Sequence, residues 1–111
     1  MYYVYVIYSE KLNRFYTGTT DDLDKRIEQH NSAFYPNSFT TKGIPWELKV
    51  FFSFENNKTA LDAEKFIKRM KSKIFIEKII KNPELFTKII ENSVRVQLRG
   101  FGAASSTKPW L

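Results

Sequence analysis

Five side chains in this sequence have the chemistry to act on a phosphate ester: the phenols of Tyr5 and Tyr16, the guanidinium of Arg26, the imidazole of His30 and the carboxylate of Glu64. Hydrolysing a phosphodiester requires a positioned water, an acceptor for its proton, positive charge on the phosphoryl oxygens and help for the leaving oxygen. Arg26 offers a planar fork suited to phosphate oxygens. Glu64 is a hard oxygen donor, and Mg²⁺ commonly takes only one or two carboxylates, completing its octahedron with waters and substrate. A free tyrosine, with a pKa near 10, is only about a thousandth ionised at neutral pH, so a phenol acting as base needs a cation beside it.

Each of these residues also has a plainer reading. Arg26 is spaced to pair with Asp22, and Glu64 with Lys68, as ordinary surface ion pairs. A lone histidine such as His30 is readily satisfied by backbone or water. Asp62 is two positions from Glu64 and so faces another side of a helix, which argues against a paired carboxylate site.

The elements that must position these groups are legible. Tyr2 to Tyr8 is β-branched and aromatic throughout, Ser9–Asn13 is a polar break, and Arg14–Thr17 is a second short run, which together read as a β-hairpin. Alternation puts Tyr3 and Tyr5 on one strand face and Val4 and Val6 on the other, with the valines expected inward. Thr20-Asp21-Asp22 provides a cap and acidic first turn for a helix carrying Leu23, Arg26, Ile27 and His30. His30 falls between Arg26 and the apolar line, at the rim of the buried stripe. Gly18 is read as a structural turn residue that lets the chain pass sharply from strand to helix and brings backbone close to the site.

Asn31–Gly43 is a long polar and aromatic loop, and Phe34, Tyr35 and Phe39 among Thr40, Thr41 and Lys42 either contact bases and phosphates or pin the loop to the core. Trp46–Phe54 reads as a third strand, and Leu61, Ala63, Phe66, Ile67 and Met70 repeat at helical spacing. A break falls near Ser72, and Pro83 fits the first position of a short helix through Ile90. Residues 92–111 change character, with a brief alternation from Val94 to Arg99, and read as a flexible C-terminal extension of a domain spanning 1–91, a short extra strand being the alternative.

The net charge of +6 favours anionic partners. Its distribution says more: Lys65, Lys68, Arg69, Lys71, Lys73, Lys78 and Lys81 gather in one stretch with only Glu64 and Glu77 as acids. This is either a phosphate-tracking surface or a solvated helix face. The absence of cysteine excludes disulfides, thiolate metal sites and a cysteine nucleophile. Met1-Tyr2-Tyr3-Val4 has no basic n-region, and no apolar run approaches the ~20 residues needed to span a bilayer, so a cytoplasmic protein with no membrane partner is expected.

In its motifs the chain resembles the GIY-YIG nuclease superfamily, most closely the small single-domain bacterial endonuclease-like members, which are related to the catalytic domain of the bacterial excision-repair nuclease. Tyr3-Val4-Tyr5 stands at the first motif triplet, Tyr16-Thr17-Gly18 at the second, Leu23, Arg26 and His30 on the following helix, and Ala63-Glu64 with Ile67-Lys68 on the later one. The likeness covers roughly residues 1 to 82. Tyr3 replaces the first glycine of the leading triplet and Thr17 the isoleucine of the second, while Thr19 stands where some repair-nuclease branches carry a lysine.

The resemblance implies an α+β fold with a small three-stranded antiparallel sheet in β-β-α-β-α order, flanked by helices. It implies a metal-dependent DNA endonuclease using Mg²⁺ or Mn²⁺, with links to DNA repair. Tyr16 is then the general base and Tyr5 a hydrogen-bonding or water-positioning partner, with an exchange of these two roles left open, Arg26 the phosphate stabiliser, His30 a group that orients Tyr16, holds the phosphate or accepts a proton, and Glu64 the metal ligand. Lys42, Lys65, Lys68, Arg69 and Lys71 are candidate nucleic-acid contacts, and RNA stays open as a substrate. Two other readings also stay open: a non-catalytic nucleic-acid-binding module on the same fold, and a protein-interaction domain. Salt separates them, because phosphate binding weakens steeply with ionic strength and an apolar interface does not.

Overall fold

The expected hairpin forms, and its strands are longer than the polar break suggests. In the computed structural model, which describes residues 1–32, 39–94 and 100–103, β1 spans Tyr2–Ser9 and β2 spans Arg14–Thr20. Asn13, in a left-handed conformation with φ 52°, makes the turn between them. Asp22 caps α1, Leu23–Asn31, by accepting the Lys25 N–H. After a short 3-10 segment at Phe39–Gly43 come β3, Trp46–Phe54, and α2, Asn57–Met70, the latter capped by Asn56. The expected break falls at Ser72, which caps α3, Lys73–Lys81, and α4 then starts at Pro83 and runs to Val94.

The sheet has four antiparallel strands in the order β2-β1-β3-β4, where the sequence pattern predicts three. The fourth, β4, is Gly100–Ala103, paired along β3 from Val50 to Ser53. A short strand with two glycines has little intrinsic strand preference. It is held by its neighbour instead: a Cβ on Gly102 would stand 2.5 Å from Phe51 Cζ, so the Phe51 ring lies directly on the glycine backbone. Phe34, Tyr35, the Phe39 side chain and the alternating run at 95–99 lie outside the described residues.

Both faces of β1 are covered, so the valines are not alone in being buried. Val4 and Val6 join Val50, Phe52 and Phe54 of β3 with Ala60, Ala63 and Ile67 of α2, and Ile79, Phe86 and Ile90 complete this core. On the other face Tyr5 and Ile7 pack with Ile27 of α1, Trp46 and Leu48. Since β2 is an edge strand, α1 on one face and α2 on the other can both reach around it. Among the described residues no helix is long and apolar enough to cross a membrane.

Candidate functional site

Gly18 lies inside β2, directly opposite Tyr5 of β1, and not in a turn. The expected turn role is therefore corrected, whereas the expected close approach is present. A Cβ at Gly18 would collide with the Tyr5 hydroxyl and stand 2.6 Å from its Cζ. Absence of a side chain here lets the Tyr5 ring lie across β2 and carry its hydroxyl, buried like the ring, to the β2 edge of the sheet beneath α1.

At that edge Arg26 Nε donates to Tyr5 Oη at 3.3 Å, and Tyr5 Oη and His30 Nε2 are 2.9 Å apart. His30 is 2% exposed, deeper than the rim position its helical spacing implies. The rings of Tyr5 and Tyr16 account for this, lying 5.8 and 5.2 Å from the imidazole centroid. His30 Nδ1 is buried with no hydrogen-bond partner among the described residues. A bare acceptor costs less than a buried orphan N–H, which favours the tautomer in which Nε2–H donates to Tyr5 Oη. The Tyr5 oxygen then accepts twice, from His30 and from Arg26, and keeps its own proton to donate to a third group.

Burial, reinforced by the charge of Arg26, lowers the His30 pKa to about 4, so the imidazole is neutral at physiological pH. Burial likewise raises Tyr5 to about 12, against the opposing hydrogen bond and charge of Arg26. Tyr16 and Glu64 both add to that upward shift, which places their charges within electrostatic reach of the Tyr5 hydroxyl. Tyr5 is thus a neutral, anchored phenol.

Glu64 arrives from α2, on the opposite face of the sheet. Alternation along β2 turns Thr19 toward that face, and its hydroxyl donates to Glu64 Oε1 at 2.6 Å. Lys68 Nζ is 2.9 Å from Oε2, so the ion pair expected from the spacing is formed. An ammonium on this carboxylate shows that the position accepts a cation, and a hard oxygen donor suits a divalent ion there. No group of three or more His, Cys, Asp or Glu side chains gathers among the described residues, so Glu64 would be the single protein carboxylate of such a site. Sequence reasoning misses Thr19 in this role; its signal is the strand period that puts Thr17 and Thr19 on one side.

Tyr16 is half-buried, edge-on to both His30 and Trp46, and lines a cleft of about 530 Å³ together with Lys68 and Lys71. Lys68 Nζ stands 6.0 Å from the Tyr16 ring centroid. The structure therefore brings Tyr5, Tyr16, Arg26, His30 and Glu64 to one edge. The candidate nucleic-acid contacts divide: Lys68 and Lys71 line the cleft, whereas Lys65 and Arg69 are exposed and line neither cleft, about 60° and 100° around α2 from Lys68. Lys42 is exposed on the 3-10 segment.

Comparisons with known proteins give the chain's relatives and its family. The chain is 37% identical over 67 residues to a UPF0213 protein of Vibrio campbellii, covering 60% of this chain and 62% of that relative's length. A UPF0213 protein of Clostridium perfringens is 37% identical over 70 residues, 63% of this chain and 73% of the relative. One from Syntrophus aciditrophicus is 32% identical over 83 residues, 74% of this chain and 93% of the relative. Residues 1–79, which hold all five clustered side chains, match the family model of the GIY-YIG catalytic domain, and the chain belongs to the GIY-YIG nuclease superfamily.

Proposed function

We propose that this chain is a metal-dependent endonuclease that hydrolyses phosphodiester bonds, with DNA as the foremost substrate. The observation that carries this reading is the meeting of Arg26 and His30 on the Tyr5 hydroxyl at the edge of β2, beside Tyr16 and within charge range of Glu64.

Arg26 is steered by Tyr5 and also reaches Gln29 Oε1 at 3.4 Å, so its guanidinium is held before a phosphate arrives. Preorganised charge of this kind stabilises the negative charge that builds in the transition state. Neutral His30 holds Tyr5, and the remaining proton of Tyr5 positions the attacking water or a phosphoryl oxygen. Tyr16, opening on the cleft, takes the water proton as the new O–P bond forms and the bond to the leaving oxygen breaks. Glu64, steadied by Thr19, would hold Mg²⁺ or Mn²⁺, and a divalent ion bound there supplies Lewis-acid charge at the phosphoryl and leaving oxygens.

The test is cleavage of supercoiled plasmid, branched DNA and RNA with Mg²⁺ or Mn²⁺ by wild type, Glu64→Gln and Tyr16→Phe. Activity is expected in wild type and should drop by about 10²-fold or more in each variant. Equal activity in all three preparations removes these residues from the mechanism. Salt-sensitive binding without cleavage by any of them would make the chain a binding module.

A further inference from the structure

We infer that the groove between β2 and the corner joining α2 to α3 carries the sugar–phosphate backbone of the nucleic acid away from the cleavage site, an inference that rests on the nuclease reading. The groove starts at the site itself, because Tyr16 and Lys68 line its inner end. Arg14, Lys71 and Lys73 continue its rim, over an apolar floor that includes Phe15, Ile67 and Ile76. No acidic side chain lines this inner cleft among the described residues.

The backbone builds the corner on purpose-shaped conformations. Lys71 ends α2 in a left-handed conformation, φ 47°, and the chain reverses so that α3 starts within the groove under its Ser72 cap. The positive end of α3 adds to the same field. Lys73 Nζ bonds Asn13 Oδ1 at 2.9 Å, tying the hairpin turn to α3 across the groove. Beyond that tie a second cleft of about 330 Å³ shares Asn13, Phe15 and Lys73 and adds Lys49 and Lys81, with Glu77 the acid among them.

Exposed lysines alone are an ordinary solvated surface. Here the cations instead rim two adjoining clefts, and the one that opens beside Tyr16 has no acidic side chain in its lining among the described residues. An apolar floor under a cationic rim matches a sugar–phosphate chain, whose sugars are partly apolar and whose phosphates repeat along the strand. Arg14 stands outside the basic cluster of the sequence, since it lies far from the lysine-rich stretch and joins it only through the fold.

The test measures binding of short fluorescein-labelled duplex and single-stranded oligonucleotides to the full chain in EDTA, as salt is raised. A groove variant, Arg14→Gln with Lys71→Gln and Lys73→Gln, is compared with Lys58→Gln, Lys78→Gln and Lys88→Gln together, three exposed lysines that line neither cleft. The groove variant should bind at least about tenfold more weakly, with a log–log salt slope shallower by roughly 2 to 3. The control should stay within about twofold of wild type. Arg14→Gln alone, which leaves the Lys73–Asn13 tie intact, should show a smaller loss in the same direction. Equal losses in both triple variants, or no loss in the groove variant and in Arg14→Gln, would overturn the groove while leaving the nuclease reading in place. Absence of salt-sensitive binding by wild type overturns the groove, whereas the nuclease reading stands or falls on metal-dependent cleavage.

Discussion

One row of residues, Gly18, Tyr5, Phe51 and Gly102, crosses all four strands of the sheet, and its two ends use the same packing device for different purposes. At each end an aromatic ring from an inner strand lies on a glycine of the edge strand, with a virtual Cβ only 2.5 or 2.6 Å from ring carbon. At the β4 end the ring is Phe51, and the contact fastens a short edge strand that has little else to recommend it. At the β2 end the ring is Tyr5, whose hydroxyl is carried over the edge to meet Arg26 and His30. The steric device is thus generic, and the phenolic oxygen with the helix that meets it makes one end chemical.

The sharpest way to break this comparison is to place a methyl group at each end. Gly18→Ala and Gly102→Ala both force a ring off the strand, and each should cost about 1–3 kcal/mol by overpacking, read by thermal or urea unfolding. Only Gly18→Ala should also cost activity, by about 10²-fold, because moving Tyr5 by an ångström misplaces Arg26. Equal loss of cleavage in both variants would mean that the β2 end has no chemical distinction.

Acid gives a smaller contrast. His30 titrates at about 4 in the folded protein, because of burial and then Arg26, against 6.5 for a free imidazole. Between those values the unfolded chain binds a proton that the folded chain does not, so stability falls as pH is lowered from 6.5 towards 4 and is fully present above that window. The loss should approach about 3 kcal/mol at most. Urea unfolding at several pH values should show it in wild type and in Gly102→Ala alike, and His30→Gln should flatten it. An unchanged slope in His30→Gln would place the acid sensitivity elsewhere.

Much of this is open to reading in the sequence, for reasons that also explain what is not. The hairpin, β3, α2 and the start of α4 at Pro83 follow from local patterning, and the break at Ser72 from a cap residue between two helical runs. The grouping of Tyr5, Tyr16, Arg26, His30 and Glu64 comes from motif order rather than from periodicity. What escapes depends on register and on reach across the edge strand. Gly18 is needed for its opposite neighbour and not for its own φ, Thr19 finds Glu64 only once α2 is docked, and His30 is buried by two rings contributed by separate strands. The glycine-rich β4 has no signal of its own, since its partner Phe51 provides the reason for it.

The finest test turns one end of the row into the other. Tyr5→Phe removes a single oxygen and leaves the ring, its contact with Gly18 and the apolar packing beneath α1 in place. The β2 end would then match the Phe51 end in everything except the groups waiting on α1. Arg26 keeps solvent and Gln29 as partners, whereas His30 Nε2 is left buried without its acceptor. Stability should therefore fall by about 1–2 kcal/mol, nearer the cost of one orphaned group than of a cavity. Cleavage should fall about tenfold, the rate equivalent of one lost orienting hydrogen bond, and far less than in Tyr16→Phe. If Tyr5→Phe instead abolishes cleavage while Tyr16→Phe keeps most of it, the two tyrosines exchange roles: the anchored phenol becomes the proton acceptor, and Arg26 acts by favouring the Tyr5 phenolate through its charge and donated hydrogen bond rather than only by being held by it.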